Sequence, residues 1–483
     1  MPKTPKPAAV ALAVNLTVPA PMPMAPPIEQ NFRYLDGMKK PILAILSLLL
    51  LGALPACTQN IPAKLDSLLT ANATENGFSG TVLVATKNAV VFEKGYGYKN
   101  KSKNALNDTN TIFQIGSITK QFTSAIILQL LEQNKLSLQD NLTKYIPGYP
   151  GGDKITIEQL LTHTSGVYNY TNDAAFMQTR STVPIVRDSL IALFRNKPPD
   201  FQPGEKFNYS NSNYILLGYI IEKITHKPYF LVVRENIFQP LHMDHSGFDF
   251  THLQSPDKAV GYDPSKTDTS AIIVDSSVSF AAGAIYTTVG DLYKWDRALL
   301  AGRIITPASQ EKAFTPHLSK YGFGWGIDSV YGKKIVEHGG GIPGFVSFIL
   351  RVPEEQTCII VLDNRPGKLN PGGIANDVNA VLNGQAVRLP VAKHAITLDS
   401  AILKQYVGQY QLAPAFILTI TWENGHLISQ ATGQGKIELF AEKKDWLFPT
   451  VVDAEIEFVR KGDDTIEKLI LHQNGQNVPG KRL

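Results

Sequence analysis

Residues 113–133 read "FQIGSITKQFTSAIILQLLEQ" and place Ser117 three positions ahead of Lys120. Apolar residues recur at helical spacing from Ile118 to Leu130, which predicts an amphipathic helix that begins close to the serine. On that helix Ser117 and Lys120 lie one turn apart on the same face. Backbone N–H groups at the start of a helix have no partner inside it, so they point at whatever the serine attacks.

The S-x-x-K pattern occurs three times in the chain, so the tetrapeptide alone identifies no site. Ser255 is followed by a proline in a polar loop, and Ser309 is expected to cap a short surface helix. Only Ser117 follows a glycine and opens a long helix with an apolar face. This context favours Ser117 as a nucleophile with Lys120 beside it.

A serine hydroxyl is a poor nucleophile until a base accepts its proton. A lysine can be that base only if desolvation or a positive neighbour lowers its pKa, and a nearby tyrosine is suited to relay the proton. The pattern Y-x-N also occurs three times, at Tyr98, Tyr170 and Tyr209. Tyr209 precedes an amphipathic helix that folding could press toward Ser117. The alternative is a buried tyrosine with a satisfied hydroxyl.

A third element is "EHGGGIPGF" at residues 337–345, where a polar side chain at a predicted strand end is followed by three glycines. Glycines let a backbone approach a ligand closely, and the backbone N–H groups could form half of an oxyanion hole. The alternative is a glycine-rich turn with a surface histidine.

The composition excludes several other classes of protein. Hydrophobic residues make up 43% and charged residues 18%, as in globular proteins. The net charge is only +4 and most of that excess lies in residues 1–56, so we predict no nucleic-acid partner. Of two cysteines, Cys358 sits in a β-branched run and is expected to be an inert buried thiol. No metal-ligand spacing is present, and no cofactor is predicted.

Residues 38–56 have the pattern of a secretory signal: two lysines, an apolar run from Ile42 to Leu54, and a small-residue site. The run is too short to span a membrane. Its end resembles a bacterial lipobox, which predicts lipidation of Cys57 and an N-terminal membrane anchor. Residues 1–37 are rich in proline, and we expect them to be a mis-annotated extension ahead of a true start at Met38.

Because Thr58 follows the cysteine where an inner-membrane lipoprotein commonly has aspartate, the expected location is the outer membrane, facing the periplasm. Beyond the signal, strands at both ends with helices between them predict an α+β domain over 57–388. Its antiparallel sheet would be completed by both chain ends and flanked by a helical subdomain. Residues 399–483 alternate in hydrophobicity and predict a small all-β barrel domain.

Several segments occur in an order typical of one superfamily: "FQIGSITK", "LLTHTSG", "PGEKFNYSN", "AAGAIYTTVGDLYKW", "YGFGWGI" and "HGGGIPGF". Together they resemble the serine β-lactamase and penicillin-binding-protein superfamily. The branch is that of class C β-lactamases, D-alanyl-D-alanine carboxypeptidases, D-aminopeptidases and related esterases. The C-terminal segment, with "YVGQYQ" near its start, resembles the lipocalin-like domain appended to some members.

The resemblance implies roles for four side chains. Ser117 would be the acylated nucleophile and Lys120 its general-base partner. Tyr209 would carry a proton to the leaving group, and Asn211 would orient the substrate amide or Lys120.

The resemblance also implies that His338, Gly339 and Gly340 stand where lactamases and carboxypeptidases have K-T-G. His338 and Gly340 would bind substrate, and the backbone N–H groups of Ser117 and Gly341 would form the oxyanion hole. A lysine would supply a fixed cation for a substrate carboxylate, whereas histidine does so only when protonated.

We therefore expect an exported serine hydrolase that forms an acyl-enzyme with ester or D-amino-acid peptide and amide substrates. Its partner would be a small-molecule or peptide substrate, with cell-wall-derived molecules among the candidates. Two alternatives stay open. One is a β-lactamase or D,D-carboxypeptidase acting on β-lactams or peptidoglycan, and the other is a catalytically idle homologue that binds peptidoglycan or a partner.

Overall fold

A computed structural model describes residues 60–367, 370–473 and 476–483. The first ten strands are β1 (Gly80–Thr86), β2 (Ala89–Tyr96), β3 (Tyr98–Asn100), β4 (Ala105–Leu106), β5 (Phe113–Gln114), β6 (Tyr286–Thr287), β7 (Gly326–Val330), β8 (Lys333–Ile342), β9 (Phe345–Val352) and β10 (Thr357–Asp363). The predicted extension, signal segment and Cys57 lie outside the described residues.

A six-stranded antiparallel sheet has the order β2-β1-β10-β9-β8-β7. The hairpin of β1 and β2 turns at Lys87 and Asn88, whose φ values of 49° and 64° suit a two-residue hairpin. β1 then pairs with β10, so that Ala85 lies opposite the buried thiol of Cys358. The prediction that early and late segments complete one sheet is confirmed.

Twelve α-helices occur among the described residues: α1 (Ile61–Glu75), α2 (Thr119–Glu132), α3 (Ile157–Leu161), α4 (Ala174–Thr179), α5 (Arg187–Arg195), α6 (Asn211–Thr225), α7 (Tyr229–Val233), α8 (Ser276–Gly283), α9 (Val289–Leu300), α10 (Pro307–Ala313), α11 (Pro371–Leu382) and α12 (Ser400–Leu403). The 3₁₀ segments are Gly116–Ile118, Leu142–Lys144, Tyr170–Asn172, Leu318–Lys320, Pro353–Glu355 and Lys404–Tyr406, and Arg234–Phe238 is a π-helix.

Helices cover both faces of the sheet. Apolar residues of α1 and α11 share a core with Val361 of β10 on one face. On the other face a larger core joins α2, α6 and α9 to Ile360 of the same strand. All residues of β10 are buried, as expected for a strand covered on both sides.

α2, which carries Lys120, lies deep in the larger core. Phe122 stacks on Trp295 of α9 with ring centroids 4.3 Å apart, and the Trp295 indole N–H donates to Gln121 over 3.2 Å. These contacts fix the helix, and with it the lysine, within a rigid part of the molecule.

The C-terminal segment forms a closed barrel, as predicted. Its eight strands are β11 (Gly408–Ala413), β12 (Phe416–Glu423), β13 (His426–Ala431), β14 (Lys436–Lys443), β15 (Trp446–Pro449), β16 (Ala454–Arg460), β17 (Ile466–Gln473) and β18 (Gln476–Arg482). Tyr406 stacks on Phe458 inside it at 4.4 Å. The hairpin at Asn424 and Gly425 forms where the sequence predicts it, with φ of 53° and 88°.

Three local predictions were wrong. The pattern of "YGFGWGID", residues 321–328, predicts a strand throughout, but the strand begins only at Gly326, because Gly324 has φ of +86° and sits too close to the Lys120 carbonyl for a side chain. Thr306, not Ser309, caps α10. β8 does not end at His338 but continues to Ile342. Among the described residues, no helix has the length and apolar character needed to cross a membrane.

Candidate active site

Ser117 lies in a 3₁₀ turn, Gly116–Ile118, that leads directly into α2. Its neighbours on both sides are buried, whereas Ser117 itself is partly exposed. Gly116 has φ of +48°, and a Cβ there would approach the Gly341 nitrogen to 2.8 Å. This close contact between backbones requires glycine and sets Ser117 beside β8.

The Lys120 side chain is fully buried, and its Nζ atom has three partners. Nζ lies 2.9 Å from Ser117 Oγ, 2.8 Å from Asn211 Oδ1 and 2.8 Å from the Ala282 carbonyl oxygen. Burial lowers the pKa of Lys120 well below its ordinary value. A neutral amine has two N–H groups, which the two carbonyl oxygens accept. Its lone pair is then directed at the Ser117 hydroxyl.

The orientation of Asn211 is fixed by a chain of hydrogen bonds. Its Nδ2 donates to Thr171 Oγ1 over 3.1 Å, and the Thr171 hydroxyl donates to Asn169 Oδ1 over 3.0 Å. The Asn211 backbone N–H also donates to Asn169 Oδ1, over 3.0 Å. The carbonyl side of the Asn211 amide must therefore face Lys120, as the predicted orienting role requires.

The Ala282 carbonyl was missed at the sequence level, because a backbone acceptor has no side-chain signature. It follows an unusual conformation at Phe280, whose φ of 37° and ψ of −130° interrupt α8. The Ala281 carbonyl just after this residue accepts from Thr123 Oγ1 over 2.7 Å. Two successive carbonyls are thus turned toward α2, and such strain is often found at functional sites.

Tyr209 lies over Lys120, with Nζ 4.9 Å from its ring centroid. Burial raises the pKa of Tyr209, and a hydrogen bond between its hydroxyl and the Ser117 side chain acts against that rise. The phenol is therefore neutral and can donate a proton near Ser117 Oγ. The structure brings together four predicted residues, Ser117, Lys120, Tyr209 and Asn211, although no comparison tests their roles.

Gly340 and Gly341 of β8 differ in the space available for a side chain. A Cβ on Gly340 would lie 1.9 Å from the Ile115 carbonyl oxygen and 2.4 Å from Ser347 Oγ, so only glycine fits. A Cβ on Gly341 would meet nothing within 4 Å. Gly340 thus lets β8 approach the residues before Ser117, while Gly341 faces open space. The oxyanion hole of the Ser117 and Gly341 N–H groups stays a prediction.

His338 is not the surface residue of the alternative interpretation, since only 8% of it is exposed. Its Nδ1 lies 2.5 Å from the Gly339 carbonyl oxygen and its Nε2 lies 2.9 Å from the Tyr321 hydroxyl. Burial is the largest cause that lowers the pKa of His338, to about 3. His338 is therefore neutral, donates from Nδ1 to Gly339, and accepts at Nε2 from Tyr321.

The competing matches do not assemble such a site. Lys258 Nζ donates to the carbonyls of Thr251 and Leu253, at 3.2 and 3.4 Å, instead of contacting Ser255. Ser309 Oγ accepts from Thr306, the capping residue of α10. The Tyr170 hydroxyl donates to the Val278 carbonyl over 2.7 Å and is satisfied there.

A serine beside a buried lysine whose pKa is lowered by burial, in an α+β fold with a glycine-lined strand, defines a serine hydrolase. The chain belongs to the β-lactamase family, whose model matches residues 65–383, more than half of its length. Residues 392–482, which include the barrel, match a domain of unknown function, DUF3471.

Similar proteins extend over most of the chain. Penicillin-binding protein 4* of Bacillus subtilis (strain 168) is 29% identical over 451 residues, 88% of this chain and 99% of that protein. The octameric penicillin-binding protein homologue of Pyrococcus abyssi superposes with a TM-score of 0.63 at 26% identity, covering 87% and 99% of the two chains. A D-stereospecific amidohydrolase from a Streptomyces species gives a TM-score of 0.58 at 27% identity, covering 67% and 99%.

Proposed function

We propose that the protein hydrolyses esters or peptide and amide bonds, including those of D-amino acids, through an acyl-enzyme on Ser117. The observation that carries this is the 2.9 Å contact between Ser117 Oγ and the buried Nζ of Lys120. Burial holds the lysine in the neutral state that a general base requires, and the pKa of Lys120 is lowered accordingly.

Acylation follows from these contacts. The Ser117 proton passes to Lys120 Nζ as Oγ attacks the substrate carbonyl carbon. The oxyanion is stabilised by the N–H groups of Ser117 and Gly341. The carbon–leaving-group bond then breaks, and Tyr209 gives its proton to the leaving atom while it recovers one from Lys120. Deacylation runs these steps in reverse. Tyr209 and Lys120 accept the proton of a water molecule as its oxygen attacks the acyl carbon, and the acid is released when the bond to Ser117 Oγ breaks and Oγ regains a proton.

The substrate class follows from His338. In its neutral state it is a hydrogen-bonding residue tied to Tyr321 and Gly339, not a fixed cation. This supports substrates that have no carboxylate beside the scissile bond. Penicillins and peptides ending in D-Ala do have such a carboxylate. The similarity to a D-stereospecific amidohydrolase supports amides of D-amino acids among them.

A specific observation favours the alternative of β-lactamase or D,D-carboxypeptidase activity. The similarity to penicillin-binding protein 4* extends over 99% of that protein and includes the barrel region. Action on β-lactams or peptidoglycan peptides would then proceed through the same Ser117 acyl-enzyme with another contact for the carboxylate. A catalytically idle homologue is disfavoured, because the Ser117–Lys120–Asn211 contacts are all formed.

We further propose that the protein is exported and anchored by lipid on Cys57, in the outer membrane facing the periplasm. The support is the sequence pattern of residues 38–57. Metabolic labelling with a fatty acid should mark the wild type and not Cys57→Ala. Labelling of both, or a mature protein that retains residues 1–37, contradicts the proposal.

The catalytic proposal is tested with a fluorophosphonate probe and a panel of p-nitrophenyl esters, D-aminoacyl anilides and nitrocefin. The wild type should label, and Ser117→Ala should not. Ser255→Ala is the matched control, because it alters another S-x-x-K serine outside the site, and it should label fully. An unlabelled wild type, or a labelled Ser117→Ala, overturns the assignment. Turnover of nitrocefin above the esters would favour the lactamase alternative.

A further inference from the structure

His163 belongs to the segment "THTSG", residues 162–166, and takes no part in the roles assigned above. It is fully buried. Its ring lies against Tyr209 with centroids 4.2 Å apart and an angle of 35° between the planes. The histidine therefore packs against the phenol ring that Lys120 Nζ also approaches.

Two further contacts hold the backbone on either side of Tyr209. The His163 carbonyl oxygen accepts from the Asn208 N–H over 3.0 Å. Its ring Nδ1 accepts from the Ser210 N–H over 3.2 Å. One residue thus contacts the position before Tyr209, the ring of Tyr209, and the position after it.

The same hydrogen bonds define the tautomer of His163. Asn213 Oδ1 accepts from the Ser165 hydroxyl over 2.7 Å, so the Asn213 amide presents Nδ2 to His163 Nδ1 at 3.2 Å. With two donors facing Nδ1, the ring proton is on Nε2, which has no hydrogen-bond acceptor in the part of the chain that the structure describes. Burial lowers the pKa of His163 well below its ordinary value. A neutral ring therefore packs against Tyr209.

The backbone at His163 also favours a role for its side chain. It follows the end of α3 with φ of +58°, a left-handed conformation that helices most often fill with glycine. Histidine tolerates this region better than most residues, but glycine would adopt it with less strain, so the backbone conformation alone does not explain a histidine here. His226 has φ of +55° at the end of α6, is exposed, and so offers a matched comparison.

We propose that His163 is a positioning residue that holds the Tyr209 hydroxyl where it can protonate the leaving group. This rests on the proposed function, because Tyr209 matters in this way only if Ser117 is acylated. Without the His163 side chain the loop at residues 208–210 loses the hydrogen bond from the Ser210 N–H and the ring contact with Tyr209, and keeps only the backbone bond from Asn208, so the hydroxyl is no longer confined near Ser117 Oγ.

The consequence depends on the leaving group. p-Nitrophenolate leaves readily without a proton, whereas the more basic phenolate needs one. In His163→Gly, kcat/KM for phenyl acetate should fall about 100-fold, the order expected for losing a positioned general acid. For p-nitrophenyl acetate the loss should be less than about fivefold. kcat/KM is the correct measure because it reports acylation alone for these substrates.

Three variants separate the contacts. His163→Asn keeps an acceptor for the Ser210 N–H and suits the left-handed backbone, but loses the ring. His163→Phe keeps the ring and loses the acceptor. For each variant, kcat/KM for phenyl acetate should lie between the values of the wild type and His163→Gly. His226→Gly, which makes the same change at the same backbone conformation, should leave the ratio of the two esters at the wild-type value.

A double-mutant cycle with Tyr209→Phe completes the test. The His163→Gly effect on phenyl acetate should be about 100-fold in the wild type and less than about threefold in Tyr209→Phe. An equal loss in both backgrounds, or an equal loss on both esters, overturns the proposal. If fluorophosphonate labels Ser117 and the ester ratio still does not change, only this inference fails. If Ser117→Ala still labels, the proposed function fails first.

Discussion

Two elements beside Ser117 each bury a basic side chain, with opposite results. We call α2, which carries Lys120, the helix wall, and β8, which carries His338, the strand wall. On the helix wall, burial lowers the pKa of Lys120, whose Nζ lies 2.9 Å from Ser117 Oγ. On the strand wall, His338 is neutral, but it is tied to Tyr321 and to its own strand. Burial lowers the pKa of both groups. Burial therefore favours the proposed general-base role of Lys120 on one wall and keeps His338 from being a cation on the other.

This difference separates the chemistry from the recognition. The acid–base contacts of Ser117, Lys120, Asn211 and Tyr209 depend on helices packed in the large core. The position that the family resemblance assigns to the K-T-G lysine falls on β8, where this chain has His338. Reaction and substrate choice should thus respond to different substitutions, and the following experiments test that separation.

The largest effect should come from Lys120→Arg. A guanidinium keeps its proton at every accessible pH, so it cannot accept one from Ser117. We expect kcat/KM to fall about 10³- to 10⁴-fold on all substrates. Lys258→Arg, at another S-x-x-K lysine, is the matched control and should show no loss. Retention of more than a tenth of the activity in Lys120→Arg would show that another group is the base.

The next largest effect should come from Gly340→Ala. The added Cβ would lie 1.9 Å from the Ile115 carbonyl oxygen, so β8 must move away from the residues before Ser117. Displacing an oxyanion donor costs about 10²- to 10³-fold in kcat. Gly435→Ala in the barrel, where a Cβ meets nothing within 4 Å, controls for the substitution itself. Unchanged kcat in Gly340→Ala would exclude β8 from the oxyanion hole.

The residues around Lys120 differ in how far the sequence could predict their positions. Ser117 and Lys120 are one helical turn apart, so their proximity follows from local geometry. Tyr209 comes from a distant segment, and its selection over Tyr98 and Tyr170 depended on the family resemblance. The Ala282 carbonyl could not be predicted, because the conformation of Phe280 that orients it leaves no recognisable pattern.

The overall fold was more predictable than the strand wall. The sheet and the barrel follow from alternating apolar residues, whose burial decides the register. β8 was predicted to end at His338, because glycines are poor strand formers. The close approach of Gly340 to Ile115 overrides that propensity. Tyr321, the partner of His338, lies in a segment predicted as a strand, and nothing in its neighbourhood identifies it.

The third prediction concerns stability and pH. The pKa of His338 is about 3 in the folded chain and ~6.5 when unfolded. Between these values the unfolded chain binds the extra proton, so His338 lowers the free energy of unfolding as pH falls. At pH 5 the loss should be about 2 kcal/mol relative to pH 8.

Chemical denaturation of the wild type and His338→Gln from pH 8 to pH 4 measures this effect. The variant should lose less stability on acidification, because it cannot take up that proton. Parallel curves would mean that His338 is protonated in the folded chain, and the strand wall would then carry a cation.

The fourth prediction is a gain of function. His338→Lys should raise kcat/KM about tenfold for a peptide ending in a free D-Ala carboxylate, since a hydrogen bond to a charged group is worth about 1.5–3 kcal/mol. The same peptide with an amidated end should gain nothing, and His338→Gln should improve neither. Equal changes on both peptides would show that residue 338 does not face the substrate carboxylate.

The smallest effect on activity should come from Tyr321→Phe. This change removes the hydroxyl 2.9 Å from His338 Nε2 and leaves that nitrogen buried without its donor. The free energy of unfolding should fall by about 1–2 kcal/mol. Because Tyr321→Phe keeps the ring that packs against Tyr209 and His163, kcat/KM on neutral esters should change less than about threefold, well below the range for losing a general acid or base. A loss near that of Lys120→Arg would mean that proton transfer passes through His338, and the two walls would then form one catalytic unit.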